Sequence, residues 1–215
     1  MKMKHLLDQV GAADLVDAMG RIHRHRCHIL DLVTPTPGRV LFGPAVTISY
    51  FPTCNEALDP DQYNFASLFY EAVGDQPEGR VLVLASNGHP DTSLGGGTKL
   101  SRVQKYGLAG VLADGRLRDF DELAGYDFAS YCAGEATRWG GGSVTPFQAN
   151  VPVVLNGVGV RPGDFVYADD SGAVVLPADQ VDEVLKGALA VTEEDAEYLE
   201  IVRLEDPKSG RWDTR

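Results

Sequence analysis

The six residues Arg80–Ala85 (RVLVLA) constrain this chain more than any other stretch. An uninterrupted apolar run of that length does not alternate between core and water, so it reads as a strand buried on both faces. Ser86-Asn87-Gly88 and the glycine cluster Gly95-Gly96-Gly97 follow. Next come a segment with helical spacing, about 100–106, and a second apolar run, Gly110–Ala113. Strand, glycine-rich loop, helix, strand is a βαβ unit with parallel pairing and a right-handed crossover. The fold class expected is therefore α/β, built around a central βαβ unit. Ligands of such units bind beyond the carboxyl ends of the strands.

Both carboxyl ends carry suggestive residues. After Gly110–Ala113 the chain reads Asp114-Gly115-Arg116-Leu117-Arg118-Asp119. Arg118 offers a planar fork matched to a carboxylate, and Asp119 offers hard oxygens suited to a divalent cation. Consecutive residues on a regular strand point to opposite faces, so the two share a site only if the backbone turns; Asp114-Gly115 is the expected turn. Gly95-Gly96-Gly97-Thr98-Lys99 brings backbone N–H groups and a helix N-terminus to the other strand end, a setting for an anion. A nucleotide-binding P-loop would place Lys before Ser or Thr after its last glycine, and here Thr98 precedes Lys99. A carboxylate-binding loop fits better.

Along the rest of the chain, helices are expected near 14–19, over 61–73 and from Pro177 to about Leu204. A short helix or turn is expected over 120–125. Strands are expected over 30–33, 40–50, 128–133 and 151–155, with a hairpin joining 165–168 to 173–176. No repeat or linker divides residues 1–206, read as one domain, and the polar stretch 207–215 reads as a frayed tail. A formal charge of −12 argues against nucleic acid and anionic membranes. No apolar run approaches a membrane span or a secretory signal. Three scattered cysteines suit reduced thiols in a cytoplasmic protein. Cys132 reads as a small buried hydrophobe, and His23, His25 and His28 as surface residues rather than metal ligands.

Several motifs occur together in a fixed order: Asp17–Arg21 (DAMGR), Gly43–Thr47 (GPAVT), Gly110–Asp119 (GVLADGRLRD), Val160–Asp164 (VRPGD) and Ala168–Pro177 (ADDSGAVVLP). On these the chain resembles the RraA-like family, which spans regulators of ribonuclease E activity and class II 4-hydroxy-4-methyl-2-oxoglutarate aldolases. The resemblance implies an α/β sandwich of the swivelling phosphohistidine-domain type, assembled as a homotrimer or hexamer with sites between subunits. In the aldolase branch the Arg of G-x-x-R-D binds a pyruvoyl carboxylate and the following Asp ligates Mg²⁺ or Mn²⁺. Those roles fall on Arg118 and Asp119. The substrate-binding loop falls on Gly96, Gly97, Thr98 and Lys99.

The chain departs from the family pattern in that loop. Aldolase members usually carry an acid directly after the first loop glycine, where this chain has Gly97, and an apolar residue where it has Lys99. Glu194, from the C-terminal helical segment, is the candidate to replace the acid from a neighbouring subunit. The resemblance implies a metal-dependent lyase, an aldolase or decarboxylase, acting on a small 2-oxo acid through an enolate. The alternatives are a noncatalytic regulator binding ribonuclease E or another protein, and a specialised biosynthetic enzyme on the same scaffold.

Overall fold

The computed structural model describes residues 2–23, 25–54 and 56–205; segment 207–215, expected to fray, lies outside them. Helices α1 (Lys2–Leu7) and α2 (Ala12–Ile22) precede a short strand β1 (His28–Ile29) and a long one, β2 (Leu41–Pro52). Three helix–strand steps follow, α3 (Phe65–Val73) to β3 (Val81–Ala85), then past β4 (Ser93–Gly95) through α4 (Gly97–Lys105) to β5 (Gly110–Ala113). The third passes β6 (Arg116–Leu117) and runs through α5 (Phe120–Ala124) to β7 (Ala129–Tyr131). Strands β8 (Val144–Ala149), β9 (Val153–Leu155), β10 (Val158–Val160), β11 (Phe165–Asp169) and β12 (Gly172–Leu176) lead to the long helix α6 (Val181–Arg203).

The architecture is mixed α/β. Strands β2, β3, β5 and β7 pair in parallel in that order, with Val46 opposite Leu82 and Leu82 opposite Val111. On its other edge β2 takes two antiparallel partners, β11 along residues 41–44 and β8 along residues 48–52. The hairpin β11–β12 and then β1 extend the sheet outward. The βαβ unit expected from sequence is β3–α4–β5.

Strand alternation divides the core into layers. Val46, Ile48, Leu82, Leu84, Val111 and Ala113 pack on one face with Phe69 of α3, Leu100 and Val103 of α4 and Leu123 of α5. Ala45, Val81, Val83, Ala85 and Leu112 point the other way, against Val153, Leu155, Val158 and Val160 of the β9–β10 hairpin. Phe42 shares the parity of Val46 and packs with α2 and α6, so all the long helices cover one face. The hairpin closes the other.

Several expected boundaries move for local reasons. The strand expected over 30–33 is confined to His28–Ile29, because Asp31 turns the chain at φ 59°; Val33 meets the sheet only through a bridge to Cys132. The helix expected from 61 begins at Phe65, where the Asn64 side chain accepts from the Ser67 N–H at 3.0 Å. The helix expected from Leu100 begins at Gly97, so the last glycine of the cluster is helix rather than loop. The terminal helix begins at Val181, after a turn in which Gln180 N–H donates to the Pro177 carbonyl. Strand β8 has no counterpart in the expected elements. No helix among the described residues is long and apolar enough to cross a membrane.

Asp169, at the end of β11, fastens α2 to the sheet. Its carboxylate accepts from Ala12 N–H at 2.9 Å and from the N–H and hydroxyl of Ser171 at 2.9 and 2.5 Å. Partial burial alone would raise its pKa, but these donors outweigh that effect and hold it below the ordinary aspartate value. The contribution is therefore present above the unfolded pKa of about 4 and lost as pH falls through the lower folded value. Asp169→Ala should lower unfolding stability by about 1–2 kcal/mol at pH 7. Denaturant titrations repeated at pH 3 should show that gap closing.

Candidate functional site

The site is built where two short segments run side by side beyond the ends of β3 and β5. Asp114 sets their spacing: its buried carboxylate accepts the Ser86 N–H at 2.5 Å and so ties the end of β5 to the end of β3. Burial pushes the Asp114 carboxyl up, against the opposing pull of that hydrogen bond. Past this tie, β4 and β6 pair in parallel. The Thr92 carbonyl accepts the Arg116 N–H at 3.0 Å and the Gly95 carbonyl accepts the Arg118 N–H at 2.9 Å. The pairing places the glycine cluster directly against Arg118 and Asp119.

The chain bends at the expected Asp114-Gly115, between β5 and β6, and a second turn at Asp119, whose backbone is left-handed (φ 62°, ψ 51°), brings its side chain back toward the same cleft. Asp is among the few residues other than glycine that enter this region readily. The conformation starts α5 and turns the carboxylate back, so that Oδ2 accepts the Gly97 N–H, the first of α4, at 3.1 Å. Oδ1 stands 3.8 Å from Nε of Arg118, and both side chains are partly exposed.

Space is tight at both glycines, more firmly at Gly96. A β-carbon on Gly96 would stand 2.6 Å from Asp119 Oδ2 and 3.1 Å from Arg118 Cβ. One on Gly97 would stand 1.9 Å from Oε2 of Glu122. The room left by the missing side chain at 97 is thus filled by a carboxylate from α5. The Tyr126 hydroxyl holds it in place, lying 2.9 Å from Glu122 Oε1 and 3.1 Å from the Gly97 carbonyl. Glu122 and Tyr126 were not among the residues singled out from sequence. The only trace was their spacing after Asp119, with Glu122 three residues on and in the first turn of a helix.

Positive charge gathers at the same place. Lys99 is half-buried, with Nζ 5.6 Å from the ring centroid of Phe65, and no ion pair holds it among the described residues. Burial lowers its pKa, and the nearby Arg118 and Arg102 guanidinium groups lower it further. Within a chain of net charge −12, Lys99, Arg102 and Arg118 form a local cationic cluster beside a helix N-terminus. Gly96, Lys99, Arg118 and Asp119 together line a small hollow of about 40 Å³, and Thr98 adds its backbone to the rim. Arg118 and Asp119 also border a wider opening of about 560 Å³ toward Glu135.

The remaining sequence candidates lie elsewhere. Glu194, on α6, is ion-paired with Arg21 of α2 at 2.7 Å and lines neither hollow around Arg118. Cys132 is fully buried with its thiol pushed up to about 11 by burial, in keeping with a packing role. Among the described residues no group of three or more His, Cys, Asp or Glu could hold a metal ion. His23, His25 and His28 form no such group.

The chain is similar to several known proteins. The RraA-like family model (Aldolase/RraA) matches residues 12–175. Protein DlpA of Legionella pneumophila is 27% identical over 196 residues, 88% of this chain, although the chain spans only 30% of DlpA. A Halalkalibacterium halodurans protein named "Putative 4-hydroxy-4-methyl-2-oxoglutarate aldolase" is 29% identical over 150 residues, covering 68% of this chain and 64% of that protein. Among solved structures, Streptomyces coelicolor RraAS2, described as an unusual member of the RNase ES inhibitor RraA protein family, matches with a TM-score of 0.77 at 25% identity. The match covers 93% of this chain and 96% of that one.

The two glycines should respond differently to substitution. In Gly97→Ala the exposed Glu122 side chain can swing away, so stability should fall by no more than about 1 kcal/mol. Gly96→Ala forces the Asp119 carboxylate and Arg118 Cβ aside and should cost about 1–3 kcal/mol. Thermal melts of the two variants check the order.

Proposed function

The chain belongs to the RraA-like family, and from that premise we propose that it is a divalent-metal-dependent lyase cleaving a carbon–carbon bond in a pyruvoyl-type 2-oxo acid. One observation carries the reading. A guanidinium, a carboxylate and a helix N-terminus meet in one cleft because Asp119 turns back onto the Gly97 N–H. Arg118 presents a bidentate fork to the substrate carboxylate. The opening N–H groups of α4, over Gly97, Thr98 and Lys99, add partial positive charge from the other side.

A single protein carboxylate suits Mg²⁺ or Mn²⁺, which keep several waters and take further oxygens from substrate. Asp119 would hold the ion, and Glu122 beside Gly97 and Glu135 on the wider opening are the neighbouring carboxylates that would hold its water shell. When bound, such an ion polarises the 2-keto oxygen and offsets the negative charge of an enolate. A neighbouring carboxylate, Glu122 beside Gly97 or Glu135 on the wider opening, would take a proton through a water. Retro-aldol cleavage and decarboxylation of oxaloacetate both release pyruvate enolate, so this arrangement serves either.

We assign the mixed sheet to the swivelling phosphohistidine-domain type and the assembly to a homotrimer or hexamer. Glu194 then acts, if at all, in the site of a neighbouring copy; its place on the exposed side of α6, away from Arg118 of its own chain, supports that arrangement. A regulator reading draws its support from the likeness to RraAS2. Ribonuclease binding without any metal-dependent turnover would favour it.

Pyruvate release from oxaloacetate and from 4-hydroxy-4-methyl-2-oxoglutarate, with Mg²⁺, Mn²⁺ or EDTA, tests the lyase. Arg118→Ala should reduce kcat/KM about 100-fold, chiefly through KM, as expected for losing one desolvated charge pair of about 3 kcal/mol. Asp119→Asn should remove the metal dependence together with the turnover. Full activity of either variant at saturating metal would sink the assignment.

A further inference from the structure

The hollow around Arg118 adjoins a second cavity. Ser93, Lys99 and Trp139 line both, and the second is much larger, about 640 Å³. The walls of that second cavity are unlike the first. Tyr50, Leu58, Tyr63, Phe65 and Pro146 supply broad apolar surfaces, and the exposed indole of Trp139 forms part of the rim. Tyr50 is fixed by its hydroxyl, which donates to the Leu94 carbonyl at 2.5 Å, so its ring is a rigid wall. Lys99 stands at the junction, its ammonium over the Phe65 ring on one side and within electrostatic reach of Arg118 on the other.

A pyruvate-sized ligand needs only the small hollow and the groups around it. Space of this size, walled by rings and adjoining the carboxylate-binding end, suits a substrate with a ring on its far side. We propose that the cavity takes the distal part of the substrate and that this part is an aryl ring, making the substrate a 4-aryl-4-hydroxy-2-oxobutanoate. The proposal rests on the lyase reading for its chemistry, while the cavity itself is independent of it. The order of groups along the cleft matches the order along such a molecule. Arg118 meets the carboxylate, Lys99 meets the oxygen on C4, and Phe65, Tyr63 and Trp139 face the ring.

Cleavage then balances simply. The C4 hydroxyl gives up its proton to the base, the C4–O bond becomes a carbonyl, and the C3–C4 bond breaks. Its electron pair forms the enolate of pyruvate, which regains the proton at C3. The products are pyruvate and an aryl aldehyde, the second leaving from the aromatic cavity. Lys99 donates to the C4 oxygen in substrate and product alike, an interaction that an apolar residue at this position could not make.

Calorimetric titration of the full chain with 2-oxo-4-phenylbutanoate and with pyruvate tests the cavity without requiring turnover. The phenyl compound should bind at least tenfold more tightly. Thr145→Trp, which fills the cavity from β8, should cut that preference at least fivefold, and melting curves should show the variant folded. Lys99→Met is the second variant and should lower kcat/KM for 4-hydroxy-2-oxo-4-phenylbutanoate and for 4-hydroxy-2-oxopentanoate alike, since both carry the C4 oxygen, while the phenyl preference between the two titrants persists. Equal affinity for the two titrants overturns the proposal. Cleavage of the pentanoate but not of the phenyl substrate also overturns it and leaves the lyase reading intact. If neither is cleaved with metal present yet the phenyl preference holds and Thr145→Trp removes it, the lyase reading fails and the aryl-binding cavity stands.

Discussion

Burial of both faces of β3 is the constraint on which the rest of the structure depends. A strand with no wet face must find backbone partners on both edges, because an unpaired N–H or C=O in that position costs as much as a lost hydrogen bond. Its neighbours β2 and β5 meet that demand in parallel register. Parallel pairing in turn requires crossover helices, and α3 and α4 cover one face while the β9–β10 hairpin covers the other. The carboxyl ends of β3 and β5 are thereby brought level. The tie from Asp114 to Ser86 and the short β4–β6 pair extend that level edge into the cleft.

What the sequence made legible was whatever depended on local pattern. The apolar runs 81–85 and 110–113 could be read as strands because nothing but a sheet interior accepts them. The Arg118-Asp119 pair could be placed at a strand end because it follows one directly. Other features depended on partners distant in the chain. Strand β8 carries Pro146 and alternates imperfectly, and its pairing with β2 is interrupted by a bulge at Ser49/Tyr50. Glycines 95–97 read as a carboxylate-binding loop, yet Gly97 opens a helix, its N–H accepted by Asp119, 22 residues later. A hydrogen bond of that span leaves no mark on sequence spacing.

The loop's departure from the family pattern also acquires a physical meaning. An acid at position 97 would collide with the present position of Glu122, and a glycine there makes room for it. The negative charge expected at the head of α4 has therefore not vanished from the neighbourhood. It arrives from α5 on a longer side chain, held by a tyrosine hydroxyl instead of by its own backbone. Lys99 alters the balance in the other direction, adding a half-buried cation beside the Phe65 ring. The cleft is thus more strongly bipolar than one lined by an acid and an apolar residue.

The left-handed backbone of Asp119 limits what evolution can write at that position. A residue that must both turn the chain there and present an oxygen to a helix N-terminus is drawn from a very short alphabet. Most side chains would carry a conformational penalty of about 1 kcal/mol or more in this region, and glycine would carry no oxygen. Asparagine keeps the shape and loses the charge. Divergence at this position therefore proceeds by a switch rather than by degrees: a descendant either retains the carboxylate whole or becomes a neutral copy of the same turn.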